Sequence, residues 1–151
     1  MENDIKLVQL IIIQNNQILL SLRKNTGYCD GEWCLPGGHV ESNESLLNAI
    51  IRETFEELNL NLSSYLHYLD LFKVIERFYK EQVNHYTDFI FKINPKYITP
   101  NIRNIVENKE PDKCEKLKWF NLDNLPNNMI EYQKDIFNNN CNYIKLHNLP
   151  D

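Results

Sequence analysis

The stretch GHVESNESLLNAIIRETFEELNL, Gly38 to Leu60, decides how this chain is read. From Ser45 to Leu58 the apolar residues fall at helical spacing: Leu46, Leu47, Ile50, Ile51 and Leu58 form one stripe, with Thr54 beside it. Asn43 or Ser42 stands where an N-cap is wanted, and Glu44 suits the positive end of the helix dipole. Asn59 follows the last turn, where a left-handed residue is usual and asparagine is second only to glycine. On such a helix Glu53, Glu56 and Glu57, three and four residues apart, project from one side. With origins roughly 5–6 Å apart, each like-charged pair costs on the order of 3 kcal/mol at intermediate dielectric. Arg52 is the nearby cation and neutralises at most one carboxylate. A divalent ion relieves the repulsion more cheaply, and hard oxygen ligands select Mg²⁺ or Mn²⁺. For the triplet alone, a solvated acidic face is the competing explanation. Before the helix, Pro36-Gly37-Gly38 is a break whose glycines let the backbone approach a ligand or offer a carbonyl to a metal.

Working outward, Lys6–Ile13 and Gln17–Arg23 read as a hairpin turned by Asn15-Asn16, since asparagine tolerates the positive φ of a tight turn. Asn25–Gly31 is a loop, and Trp33–Leu35 a short strand. Leu66–Tyr79 and Tyr86–Ile93 are β-branched and aromatic, hence strands, with Leu117–Phe120 a shorter one. Leu122–Leu125 and Ile130–Asn140 are expected to be helical. Interleaved strands and helices give an α/β fold with a mixed sheet.

A chain of 151 residues suits one domain, 1–151, and 42% apolar with 25% charged residues is ordinary for a soluble globular protein. The longest apolar runs, Leu10–Ile13 and Ile18–Leu20, fall far short of the roughly 20 residues that cross a bilayer, so no membrane is expected as partner. Met1-Glu2-Asn3-Asp4 is acidic and lacks the basic start of a secretory signal, which points to a cytoplasmic location. Cys29, Cys34, Cys114 and Cys141 lack zinc-site spacing and are read as reduced, packed thiols. The net charge of −5 argues against long nucleic acid as partner. A small phosphorylated ligand bridged by a cation is compatible with it.

Together, Gly38, Glu44, Arg52-Glu53 and Glu56-Glu57 match the spacing of the signature of Nudix hydrolases, and the chain resembles that family, MutT-type members in particular. Thr26-Gly27-Tyr28, Asp30-Gly31-Glu32-Trp33 and Leu35-Pro36-Gly37-Gly38-His39 resemble the approach to the signature. Glu110-Pro111-Asp112-Lys113-Cys114, Trp119-Phe120 and Leu125-Pro126 resemble the closing segment, so the likeness runs from Ile5 to Pro126. Asn59 departs from the family's glycine, and Thr54 replaces a usual aliphatic residue. The resemblance implies an α/β/α sandwich with a mixed sheet that hydrolyses a nucleoside diphosphate linked to another group. It implies that Glu53, Glu56 and Glu57 hold Mg²⁺, with the Gly38 carbonyl and Glu110 as further ligands, and that Arg52 orients the carboxylates. Glu53 is the first choice for general base, and Glu44 supports the helix start and reaches Arg52. Arg23 is a candidate phosphate contact, with a solvated strand end as an equal alternative, while Trp33, Tyr28 and Phe89 are candidates to stack on a base, with core packing the favoured role for each. A nucleoside triphosphate, cut to monophosphate and pyrophosphate, is the leading substrate. A diphosphate derivative such as ADP-ribose or a nucleotide sugar comes second, and a non-catalytic nucleotide sensor third. A homodimer is common among relatives, but no feature of the sequence demands one.

Overall fold

The computed structural model describes residues 3–78, 84–98 and 101–138. Its centre is β1 (Asn3–Gln14), which turns at Asn15 and Asn16, φ 53° and 60°, into β2 (Gln17–Arg23). Two consecutive positive φ values are what a tight hairpin turn needs, and asparagine supplies them at low cost. Then come β3 (Trp33–Cys34), β4 (Gly37–His39), α1 (Leu46–Leu58), β5 (Leu69–Phe78), β6 (Asn84–Ile93), α2 (Ile102–Ile105) and β7 (Cys114–Asn121). A final helix, α3, occupies residues 131–138.

β1 runs parallel to β6 along its length and antiparallel to its other partners, so the sheet is mixed. Its opposite edge forks. Leu7 to Gln9 pair with β4, whereas Ile13 and Gln14 pair with β2. Between the two branches the Leu10 amide donates to the Pro36 carbonyl at 2.9 Å. β2 continues the sheet through β3 and β7, and β5 lies outside β6. The fork splays the β4 branch away from the β2–β3–β7 branch.

The apolar run Val8–Ile13 sorts by period two, as strand side chains must. Val8, Leu10 and Ile12 join Ala49, Ile50 and Leu58 of α1 in one core. Ile11 and Ile13 join Ile90, Trp33, Ile136 and Phe137 in the other. One helix therefore covers each face of the sheet, the expected α/β arrangement. Each fully buried Ile or Leu contributes about 1.5–3 kcal/mol, so this strand anchors both cores.

Four expectations need correcting. The break at Gly37-Gly38 is a strand, β4: Gly37, at φ 150°, lies so close to the Val8 carbonyl that a side chain would collide with it. The helix cap is Ser45, whose Oγ accepts from the Asn48 amide at 3.1 Å, while Asn43, at φ 62°, turns the chain before it. Leu66–Tyr79 divides into a 3₁₀ segment, Leu62–Tyr68, and β5, because the Asn61 side chain caps the Ser63 amide. Leu122–Leu125 is a turn, pinned by the Leu122 amide on the Asn16 carbonyl at 3.0 Å. Tyr79, the end of the Ile130–Asn140 segment from Asn139 onward, and Cys141 lie outside the described residues.

Candidate active site

α1 carries its acidic residues into a cavity of about 670 Å³ that opens at the fork of the sheet. Local chemistry fixes the helix at both ends. Ser45 caps its start, and Asn59 ends it at φ 59°, donating to the Phe55 carbonyl. Thr54 is fully buried on the inner stripe and returns its hydroxyl to the Ile50 carbonyl at 2.7 Å, so its polar atom is satisfied.

The three glutamates are not equivalent. The Glu57 side chain is partly buried and accepts from the Gly37 amide at 3.0 Å. Burial, with the Glu53 and Glu110 charges adding to it, pushes its pKa up to about 8 despite that hydrogen bond. Glu53, with a side chain only 12% exposed, lies against Gly38, where an added Cβ would stand 2.5 Å from its carboxylate. Burial raises its pKa as well, against the opposing pull of Arg52. Glu56 is about half exposed at the cavity mouth.

Arg52 does more than neutralise one partner. Its Nε and Nη2 donate to both oxygens of Glu44 at 2.8 and 2.9 Å, and Nη1 donates to Glu53 at 2.9 Å and Glu56 at 3.3 Å. Nη2 also reaches the His39 carbonyl at 2.9 Å, tying β4 to the helix. A planar guanidinium with five donors suits this fan of acceptors; an ammonium does not. The doubly bonded Glu44 is held well below the usual carboxylate range, at about 2, first by Arg52 and then by the Glu41 amide. Glu44 precedes the cap, so it steadies the loop before α1 and not its first turn.

Arg23, Glu110 and Lys113 line the same cavity, as do Gly38 and Tyr28. Arg23 is held by the Tyr28 carbonyl at 2.7 Å and the Thr26 hydroxyl at 3.0 Å, in a loop that Asp30 organises by accepting from the Thr26 and Gly27 amides. Trp33 is placed elsewhere: it is buried edge-on against Phe120, at 4.7 Å between centroids, outside the cavity lining. Phe89 likewise packs against a core. Cys29, Cys34 and Cys114 are free thiols; burial pushes Cys34 up to about 12, leaving it an inert neighbour of the cavity.

The far end of the cavity holds residues that sequence reasoning missed: Gln9, Arg77, Tyr132 and Gln133, backed by the buried Asp88. Arg77 pairs with Asp88 at 2.6 Å and lies 4.1 Å over the Tyr132 ring. Their one sequence signal was a glutamine interrupting the apolar run Leu7–Ile13.

As they stand, no three His, Cys, Asp or Glu side chains among the described residues close into a metal-binding cluster. Glu53 and Glu56 are turned to the Arg52 guanidinium instead. The carboxylates that line the cavity, Glu53, Glu56, Glu57 and Glu110, are nonetheless hard oxygen donors, and the raised pKa values of Glu53 and Glu57 come first from burial, with neighbouring carboxylates adding to it.

A family model described as NUDIX domain matches residues 6–139. An ADP-ribose pyrophosphatase of Methanocaldococcus jannaschii is 30% identical over 128 residues, 83% of this chain and 67% of that one. An 8-oxo-dGTP diphosphatase of Buchnera aphidicola is 34% identical over 71 residues, 47% of this chain and 52% of that one. Among solved structures, a MutT protein from Methanosarcina mazei superposes with a TM-score of 0.71 over 95% of this chain and 97% of that one. At 20% identity, that is a likeness of fold alone.

Proposed function

The chain belongs to the NUDIX family of pyrophosphohydrolases, and from that premise we propose that it hydrolyses a phosphoanhydride bond in a nucleotide with a divalent cation, Mg²⁺ first and Mn²⁺ second. The observation that carries this reading is the Glu57 carboxyl, which lines the cavity with Glu53 and Glu110 and has its pKa raised to about 8 by desolvation and by their charges. A carboxyl kept there against its own desolvation has little structural use, because a neutral glutamine would accept the Gly37 hydrogen bond as well.

Glu53, Glu56 and Glu57, with the Gly38 carbonyl and Glu110, would hold the ion. When bound, it neutralises the diphosphate and acidifies a water. The chain's own groups then have separate tasks. Arg52, anchored on Glu44 and the His39 carbonyl, keeps Glu53 and Glu56 in reach of one another. Glu53 accepts the proton of the attacking water, a task for which its raised pKa suits it. Arg23 and Lys113 offer positive charge to the phosphate oxygens from the opposite wall.

For the substrate, the breadth of similarity favours a nucleoside diphosphate derivative: the ADP-ribose pyrophosphatase matches over 83% of this chain, the 8-oxo-dGTP diphosphatase over 47%. On that support we put such derivatives first and nucleoside triphosphates, the leading expectation from the sequence, second. An assay of phosphate-containing products from a nucleotide panel, with and without Mg²⁺, tests both levels. Pyrophosphate release identifies a triphosphate substrate, and two phosphomonoesters identify a diphosphate derivative. Absence of Mg²⁺-dependent products from the whole panel would refute the hydrolytic reading.

A further inference from the structure

At the end of the cavity away from Glu56, five polar side chains form a closed network whose hydrogens can be assigned one by one. Asp88 is fully buried and its two oxygens are acceptors throughout the network: Arg77 donates to it through Nε at 2.6 Å and Nη2 at 3.2 Å. The Tyr132 hydroxyl has one hydrogen, which it gives to Asp88 at 3.0 Å. Its lone pairs receive the Gln133 amide at 3.2 Å and the Gln9 amide at 2.9 Å. The Gln9 Nε2 also donates to Asp88 at 3.1 Å. Both Gln9 amide hydrogens are thus spent, and the carboxylate fixes which way the amide faces, since turning it would set oxygen against oxygen. Gln133 is anchored in turn by the Leu35 amide on its Oε1 at 2.8 Å.

One atom is left over. Gln9 Oε1 is buried and has no hydrogen-bond partner among the described residues. Gln9 itself is only 5% exposed and lines the cavity together with Leu7, Leu35 and Ile130. A buried acceptor without a donor is costly, so a network this fully determined leaves it open at a functional site or not at all.

We propose that Gln9 is a specificity-determining residue that accepts a hydrogen bond from the exocyclic amino group of the substrate's nucleobase. The inference rests on the reading of the cavity as a nucleotide site and deepens it. A recessed acceptor is reached by a group that projects beyond the ring, as an amino group does. Tyr132 has no hydrogen left for a base carbonyl, so a carbonyl-bearing edge gains nothing from that hydroxyl. Apolar side chains beside the amide suit the flat ring. Gln9 pairs in register with Gly37, whose amide holds Glu57, so the β1–β4 pair joins the two ends of the cavity.

The test compares two diphosphate derivatives that differ only in the base, adenine against unsubstituted purine, in wild type and in Gln9→Met. Equilibrium binding of the two corresponding nucleoside monophosphates is measured alongside, because it needs no turnover. Wild type is expected to favour adenine about tenfold in kcat/KM and in binding, the worth of one hydrogen bond. Gln9→Met, nearly equal in length, should bring both ratios close to one. Equal use of the two bases by wild type, a comparison that needs no variant to fold, would overturn the inference, as would an undiminished ratio in Gln9→Met. If neither derivative is hydrolysed but the binding preference appears and vanishes with Gln9→Met, the inference stands and the hydrolytic reading falls.

Discussion

The two ends of one cavity handle buried charge in opposite ways. At the Arg77 end a single carboxylate, Asp88, meets a guanidinium, a hydroxyl and an amide, and its charge is answered. At the α1 end, Glu44, Glu53 and Glu56 share the Arg52 guanidinium, while Glu57 bonds to the Gly37 amide, with the Glu53 and Glu110 charges adding to the excess and Arg23 opposing it. The first arrangement builds a rigid wall with one open acceptor. The second stays electrostatically unresolved until something positive arrives. Carboxylates crowded and buried in this way are typical of functional sites, which is why the proposed chemistry is assigned to the α1 end.

Four substitutions or conditions sharpen that contrast. The largest effect is expected at the unbalanced end: Glu57→Gln should lower turnover by about a thousandfold or more in a steady-state assay with Mg²⁺, while the fold stays intact. Glutamine still accepts the Gly37 amide and removes a desolvated charge, so thermal unfolding without metal at pH 8 should move upward. Turnover near wild type in this variant would contradict the role given to Glu57.

The balanced end should answer in stability. Asp88→Asn removes the carboxylate charge that the Arg77 guanidinium meets at 2.6 Å and should cost about 3 kcal/mol in denaturant unfolding. A loss below about 1 kcal/mol would mean that the pair contributes little to the wall.

A pH series in a chelator probes the same difference. The folded pKa of Glu57, about 8, lies above the ordinary carboxylate value, so the folded state binds the proton more tightly than the unfolded chain. Its contribution is full below the ordinary value, declines above it and is gone once the pH passes about 8. Metal-free protein should therefore unfold at a lower temperature at pH 8 than at pH 5.5, and Glu57→Gln should flatten that slope. A slope unchanged by the substitution would place the charge elsewhere. The smallest effect is local: Ser45→Ala removes the cap of α1 and should cost about 1 kcal/mol, measured by chemical unfolding.

The same comparison explains what the sequence made legible. Glu44, Arg52, Glu53, Glu56 and Glu57 lie within one helix and the loop before it, so spacing alone assembles them. Asn59 was readable as a left-handed residue for a similar local reason. Asp88 and Tyr132 lie 79 and 123 residues from Gln9 along the chain, and the three are joined only when β1 pairs with β6 and α3 covers the sheet. No local pattern announces them. Trp33, an attractive candidate as an aromatic beside glycines, went to the core because β3 pairs with β2 and turns its ring onto Phe120. Gly37-Gly38 looked like a turn because glycine breaks helices, yet there the missing side chains make room for the β1 backbone and the Glu53 carboxylate. Burial sorted the three glutamates into unequal roles that their spacing could not distinguish.

The central claim is that the charge of α1 awaits a cation. Titration calorimetry with Mn²⁺, on wild type and on a variant carrying Glu53→Gln and Glu57→Gln together, tests it most directly. Saturable binding by wild type that the double substitution abolishes is the expected result. No binding by wild type, or equal binding by both proteins, would contradict the account.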